Sequence, residues 1–134
     1  MGKKILAADD ERDIRIVVKA VLSKKGYEVH TASDGQEAID RLSSEEFSLV
    51  ILDVLMPKLN GFSVLQKIRE QGKKELPVIM LTALSSDKDV WNGYEKGATY
   101  YLPKPFENKQ LINIVDYLIG DLPEEERKKI ETTL

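Results

Sequence analysis

The chain has no cysteine among its 134 residues. That excludes disulfides and thiolate-bound metals, and it fits a reducing, cytoplasmic setting. Long apolar runs are missing too. Met1, Gly2, Lys3 and Lys4 lead into only four apolar residues before two aspartates, whereas a secretory segment needs about 7–15 and a membrane span about 20. Neither export nor membrane insertion is expected. None of the eight glycines forms a G-x-G-x-x-G loop, which argues against a dinucleotide or flavin module, and an acidic first loop would repel a phosphate-bearing cofactor. No sign of charge dominates: 20 basic residues stand against 23 acidic ones, for a net charge of −3. Neither nucleic acid nor an anionic membrane is therefore an expected partner. There is no internal repeat and no low-complexity segment. What remains, 42% hydrophobic and 32% charged residues, has the size and balance of one globular domain.

Apolar runs alternate with helical patterns five times. Residues 4–8 read as a strand, and 12–25 as a helix with Ile14, Val17, Val18, Val21 and Leu22 on one face, a stripe of helical period. Gly26 would end that helix. A second strand is expected over 27–32, then a helix opened by Ser33, Asp34 and Gly35 that carries Ala38, Ile39 and Leu42. The third strand covers 48–53, and the following helix carries Phe62, Leu65 and Ile68. Pro77 starts a fourth strand, and a weaker helix spans 87–96 before Gly97. The fifth strand covers 98–102, and the helix over 107–119 presents Leu111, Ile114, Val115, Leu118 and Ile119. Such alternation with right-handed crossovers predicts an α/β, flavodoxin-like (βα)5 fold. Its five-stranded parallel sheet would be doubly wound, in the strand order 2-1-3-4-5.

The chemistry sits where these strands end. Asp9 and Asp10 close the first run, Asp53 the third and Thr82 the fourth, and Lys104 follows the fifth. Ligands of such sheets gather at the carboxyl ends of the strands, so three acids, a hydroxyl and a lysine are expected in one crevice. Adjacent aspartates raise each other's pKa unless a cation relieves them, and Mg²⁺ prefers carboxylate and water oxygens. The simpler role for Asp10 or Asp13 is to cap the first helix; with Asp53 in the neighbouring strand, the metal reading is the stronger one. Asp53 can also act as a nucleophile and form an acyl phosphate. Three carboxylates, a divalent cation and Lys104 sum to zero charge. With a phosphoryl group on Asp53 the sum becomes about −1. Lys104 would supply a compact positive charge to one phosphoryl oxygen, and Thr82 a hydroxyl donor to another. Two prolines flank Lys104 and would aim it.

Four segments carry a resemblance: Lys-Ile-Leu-Ala-Ala-Asp-Asp-Glu (4–11), Leu-Asp-Val-Leu-Met-Pro-Lys-Leu-Asn-Gly (52–61), Leu-Thr-Ala (81–83) and Gly-Ala-Thr-Tyr-Tyr-Leu-Pro-Lys-Pro-Phe (97–106). At these spacings the chain resembles the CheY-like receiver domains of two-component response regulators, over residues 3–119. The resemblance implies that Asp53 accepts a phosphoryl group from a sensor histidine kinase or a phosphotransfer protein. It implies that Asp9 or Asp10, with the backbone carbonyl of Leu55, helps hold Mg²⁺, and that Thr82 and Lys104 contact the phosphoryl group. Tyr101 falls at the family's switch aromatic, although a tyrosine in a strand is also an ordinary core residue. The face formed by 87–96, the fifth strand and 107–119 would then signal to an output domain, a target protein or a second copy, with Val90, Trp91, Tyr94 and Lys109 on it. Ala7 and Ala8 replace bulkier residues, and Tyr100 stands where an acid is frequent.

Other functions fit less well. A phosphatase of the haloacid-dehalogenase type needs an aspartate two residues after the nucleophile, and here that residue is Leu55. A metal-binding pseudo-receiver without phosphotransfer remains an alternative. No enzyme activity is expected beyond the domain's own phosphotransfer and dephosphorylation, and the latter should be slow, because Leu55 and Leu84 cannot orient a water. His30 reads as structural or exposed. Residues 1–120 are expected to form the receiver domain and 121–134 a C-terminal helical tail or linker. The order of charges there, three glutamates and then Arg127, Lys128 and Lys129, suits a helix dipole. That tail could be a solvated end or the start of a connecting helix. Fourteen residues are too few for a DNA-binding domain.

Overall fold

The computed structural model describes residues 2–83 and 97–132. Among the described residues, ten elements follow one another: β1 (Lys4–Ala8), α1 (Arg12–Lys24), β2 (Glu28–Ala32), α2 (Gly35–Ser44), β3 (Leu49–Asp53), α3 (Gly61–Glu70), β4 (Val78–Thr82), β5 (Tyr100–Pro103), α4 (Asn108–Ile119) and α5 (Glu124–Glu131). The strands form one parallel sheet in the order β2-β1-β3-β4-β5, as the alternation predicts. The expected helix over 87–96 lies outside the described residues, with Leu84, Val90, Trp91 and Tyr94.

Alternation along the strands divides the core in two. Leu6, Ala8, Val50, Leu52, Val78 and Met80 pack with Val64, Leu65 and Ile68 of α3 and Ala38 and Leu42 of α2. Ile5, Ala7, Leu49, Ile51, Ile79 and Leu81 pack with Val18 and Leu22 of α1 and Leu111, Ile114 and Val115 of α4. β3 and β4 are buried throughout. That burial accounts for unbroken apolar runs, where a half-exposed strand would alternate with polar residues. Each fully buried Leu or Ile contributes about 1.5–3 kcal/mol of transfer free energy.

Several boundaries differ from expectation. β2 starts one residue later. β5 covers 100–103 instead of 98–102, because Thr99 pairs outside the ladder: its N–H donates to Val78 O, and its Oγ1 accepts from Val78 N. Pro103 is tolerated in β5 because this is an edge strand. Gly26 does end α1, at φ +94°. Of the α1 stripe, Val18 and Leu22 are buried, but Val17 is 38% exposed; the face that meets the sheet is narrower than the apolar stripe.

α5 has no buried residue. It leans on α4 through Arg127, whose guanidinium lies 4.5 Å from the Tyr117 ring centroid and donates to Tyr117 O at 2.7 Å. Tyr117 in turn donates its hydroxyl to Glu131 at 2.7 Å. No helix among the described residues is long and apolar enough to cross a membrane.

Candidate active site

Strand register brings the predicted residues together. Ala8 pairs with Leu52 and Asp53 with Leu81, while Thr82 pairs with Pro103. Asp9 and Asp10 therefore follow β1 beside the end of β3, and Lys104 follows β5 beside the end of β4. Asp9, Asp53 and Thr82 are buried, whereas Asp10 is exposed. The three aspartates present oxygens within 4.8 Å of one another, a grouping of acids that could hold a metal ion.

Lys104 closes the other side. Its Nζ stands 2.9 Å from Asp9 Oδ2 and 3.4 Å from Asp53 Oδ1, and the Lys104–Pro105 bond is cis. Its backbone N–H donates to Thr82 O at 2.8 Å, which ties the lysine to the end of β4. Burial alone would lower the Lys104 pKa. The hydrogen bond and charge of Asp9, then the charges of Asp53 and Glu11, outweigh burial and hold the ammonium above its ordinary value.

Asp53 is the perturbed acid. Burial, then the negative charge of Asp9, pushes its carboxyl up to about 7, against the opposing pull of Lys104, and a hydrogen bond with Asp10 adds to the rise. A carboxyl poised there has too little positive charge around it. Asp9 Oδ2 is buried too, and among the described residues it has only the Lys104 ammonium, at 2.9 Å, to offset its charge. An oxygen-only donor set of two buried carboxylates and an exposed third fits Mg²⁺, which keeps waters in its shell.

Asp10 and Asp13 do not cap α1. Its N-cap is Glu11, without a side-chain cap bond. Asp9 Oδ1 instead accepts from the Glu11 backbone N–H at 2.9 Å, so the turn orients the acid. Arg15 also donates to Asp9 O, at 2.8 Å; only the turn's three-dimensional path brings Arg15 there, and the sequence reading missed it. Beyond β3, Leu55 is 60% exposed. Gly61 packs against the site strand: a Cβ there would lie 2.2 Å from Asp53 O. Tyr101 is buried, its ring tilted against Phe62 at 6.5 Å, so in this structure the aromatic lies on the inside, as a core residue does. His30 is half-buried, with Glu28 on one nitrogen and Arg41 on the other. Beside Lys104 runs an open groove of about 500 Å³, lined by Ile14, Val17, Ala83, Pro105 and Phe106.

The family model described as the response regulator receiver domain matches residues 5–116. The chain belongs to that family. Its fold is that of CheY-like receivers, and the family implies signalling by phosphorylation within two-component systems. The chain is 49% identical over 109 residues to a probable transcriptional regulator, ycf27, of Cyanophora paradoxa, covering 81% of this chain and 45% of that protein. It is 42% identical over 111 residues to the alkaline phosphatase synthesis transcriptional regulatory protein PhoP of Bacillus subtilis, covering 83% of this chain and 46% of PhoP. It thus spans less than half the length of these relatives. Among solved structures, the chemotaxis response regulator CheY4 of Vibrio cholerae superposes with a TM-score of 0.84 at 36% identity, covering 89% of this chain and all of that one. The Francisella response regulator 1452 receiver domain gives 0.83 at 34% identity, covering 87% and 96%.

Proposed function

We propose that this receiver is a phosphorylation-controlled switch whose Asp53 takes a phosphoryl group from a histidine kinase or a phosphotransfer protein. The carrying observation is the buried Asp53 carboxyl, raised to about 7, with Lys104 at 3.4 Å and two further acids around it. An Asp53 oxygen attacks the phosphorus of the donor phosphohistidine. The P–N bond breaks, and its electron pair leaves with the imidazole, which takes up a proton. Asp53 must be ionised to attack. Asp9, Asp10, Asp53 and the Leu55 carbonyl would hold Mg²⁺, which when bound supplies positive charge that favours the carboxylate and the transferring oxygens. Lys104 neutralises a second oxygen, and the Thr82 hydroxyl donates to a third. The groove beside Lys104 gives a protein donor an apolar footing that a small phosphodonor does not need.

Beyond this self-directed chemistry the chain turns over no substrate, and it works in the cytoplasm. Its output goes to an output domain, a target or a second copy, through Thr82 and Tyr101. To move the two states from 1:99 to 99:1, phosphorylation must favour one by about 5.5 kcal/mol. One hydroxyl and one lysine supply less, so a partner or a dimer completes the switch. Intact-mass spectrometry tests the acceptor. Acetyl phosphate with Mg²⁺ should add one phosphate, and both EDTA and Asp53→Ala should remove the adduct. An adduct that survives on Asp53→Ala refutes the assignment; Mg²⁺ binding without any adduct favours a pseudo-receiver.

A further inference from the structure

The loop over 54–60 leaves the phosphoacceptor strand and carries Leu55, and it is gripped on two flanks. One grip is local: the Gly61 N–H donates to Val54 O at 2.8 Å. The other comes from α2, far away in sequence. The Gly35 N–H donates to Pro57 O at 3.5 Å. A Cβ on Gly35 would stand 1.9 Å from Leu59 O and 2.6 Å from Leu59 Cβ, so nothing larger than glycine fits without moving the loop. Lys58 Nζ lies 3.5 Å from Asp34 Oδ2, and the Asp34 side chain is only 15% exposed. Asp34 is itself held, because it accepts from Glu37 N at 2.8 Å as the N-cap of α2. Between these contacts Lys58 adopts φ +69°, the one positive φ of a non-glycine residue among the described residues. That conformation is unfavourable for an L-residue, and it persists where surroundings hold it.

We infer that Asp34 and Gly35 at the start of α2 are positioning residues for this loop, fixing where the Leu55 backbone carbonyl stands relative to Asp53 and thereby setting the affinity for a divalent cation. The inference rests on the proposed Mg²⁺ site. Neither residue touches that site; both act through Pro57, Lys58 and Leu59. Partners that orient a ligand from outside the coordination shell commonly change metal affinity about 10–100-fold.

Isothermal titration of Mg²⁺ into the full chain tests this. Gly35→Ala should weaken binding about tenfold or more. Ala38→Gly, a second change in α2 at a residue that makes none of the loop contacts named above, should keep the parent affinity while lowering thermal stability. Lys58→Met decides between positioning and bulk charge. Removing a positive charge would tighten Mg²⁺ binding if net charge alone mattered; loss of the Asp34 contact should instead weaken it, roughly two- to fivefold. Asp34→Asn keeps the cap acceptor, loses the ion pair, and should weaken binding by a similar factor. Unchanged affinity in Gly35→Ala, an equal loss in Ala38→Gly, or tighter binding in Lys58→Met each overturns the inference. If Gly35→Ala does not fold, the signs of Lys58→Met and Asp34→Asn decide: both weaker supports positioning, opposite signs leave only charge. A parent chain that binds no Mg²⁺ overturns the metal reading and this inference together.

Discussion

The two ends of β1 carry charged clusters built from similar residues. At its start, Lys4 meets Glu45 at 3.0 Å, Glu45 meets Arg41 at 3.3 Å, and Arg41 and Glu28 flank His30. Two cations and two anions balance there, in reach of water. Just past its other end, Asp9, Asp10 and Asp53 gather, and among the described residues Lys104 is the cation that pairs with Asp9 and Asp53. Lys104 and Asp53 are 13% and 7% exposed as side chains, against 33% and 28% for Lys4 and Glu45. Burial therefore decides what a charge cluster does. The open cluster lowers the Glu45 pKa through the Lys4 hydrogen bond, which is ordinary pairing. The closed one raises Asp53, because desolvation and Asp9 outweigh Lys104. A balanced, wet cluster holds a surface together, whereas an unbalanced, largely buried one stores a demand for positive charge that a cation and an electrophile can meet.

Removing the acceptor should have the largest effect. Asp53→Ala should lose all phosphorylation by acetyl phosphate, seen as loss of the adduct mass, and Glu45→Ala should lose none. A smaller effect separates the clusters by pH. The folded Asp53 pKa lies near 7 and the unfolded one near 3.8, so between these values the folded state binds more protons and stability falls as pH rises. Asp53→Asn escapes that loss. In EDTA it should exceed the parent by on the order of 4 kcal/mol at pH 8 in urea denaturation, with little advantage at pH 4. An equal advantage at both pH values would show that the Asp53 carboxyl is not burdened as described.

Next in size is the groove beside the closed cluster. Val17→Asp should cut phosphotransfer from a phosphorylated histidine kinase about tenfold while leaving acetyl phosphate labelling intact. Equal losses with both donors would mean damage to the site itself. The smallest effect belongs to the open cluster. Glu45→Gln should leave the thermal midpoint within about 2 °C of the parent. A large drop would show that this surface network is coupled to the core, and the contrast between the two ends of β1 would fail.

The fold was legible in the sequence because burial on both faces of a parallel sheet forces unbroken apolar runs, and runs ending in Asp9, Asp53 and Thr82 locate the carboxyl edge. Strand ends were less legible: a side-chain acceptor, Thr99 Oγ1, replaces a ladder bond and shifts β5. Val17 misled because a helical stripe records apolarity, not which part of it meets the sheet.

By itself, then, the sequence determined the family, the strand order and which residue types meet at the site, since periodicity and spacing are properties of the chain. Only the tertiary structure decided the charge balance of that site. Desolvation depends on which residues surround Asp53, and these pair with it from β4 or follow β1 and β5. The same holds for Arg15 on the Asp9 carbonyl and for Gly35 against Leu59 O. These contacts join residues whose proximity depends on the folded path of the backbone.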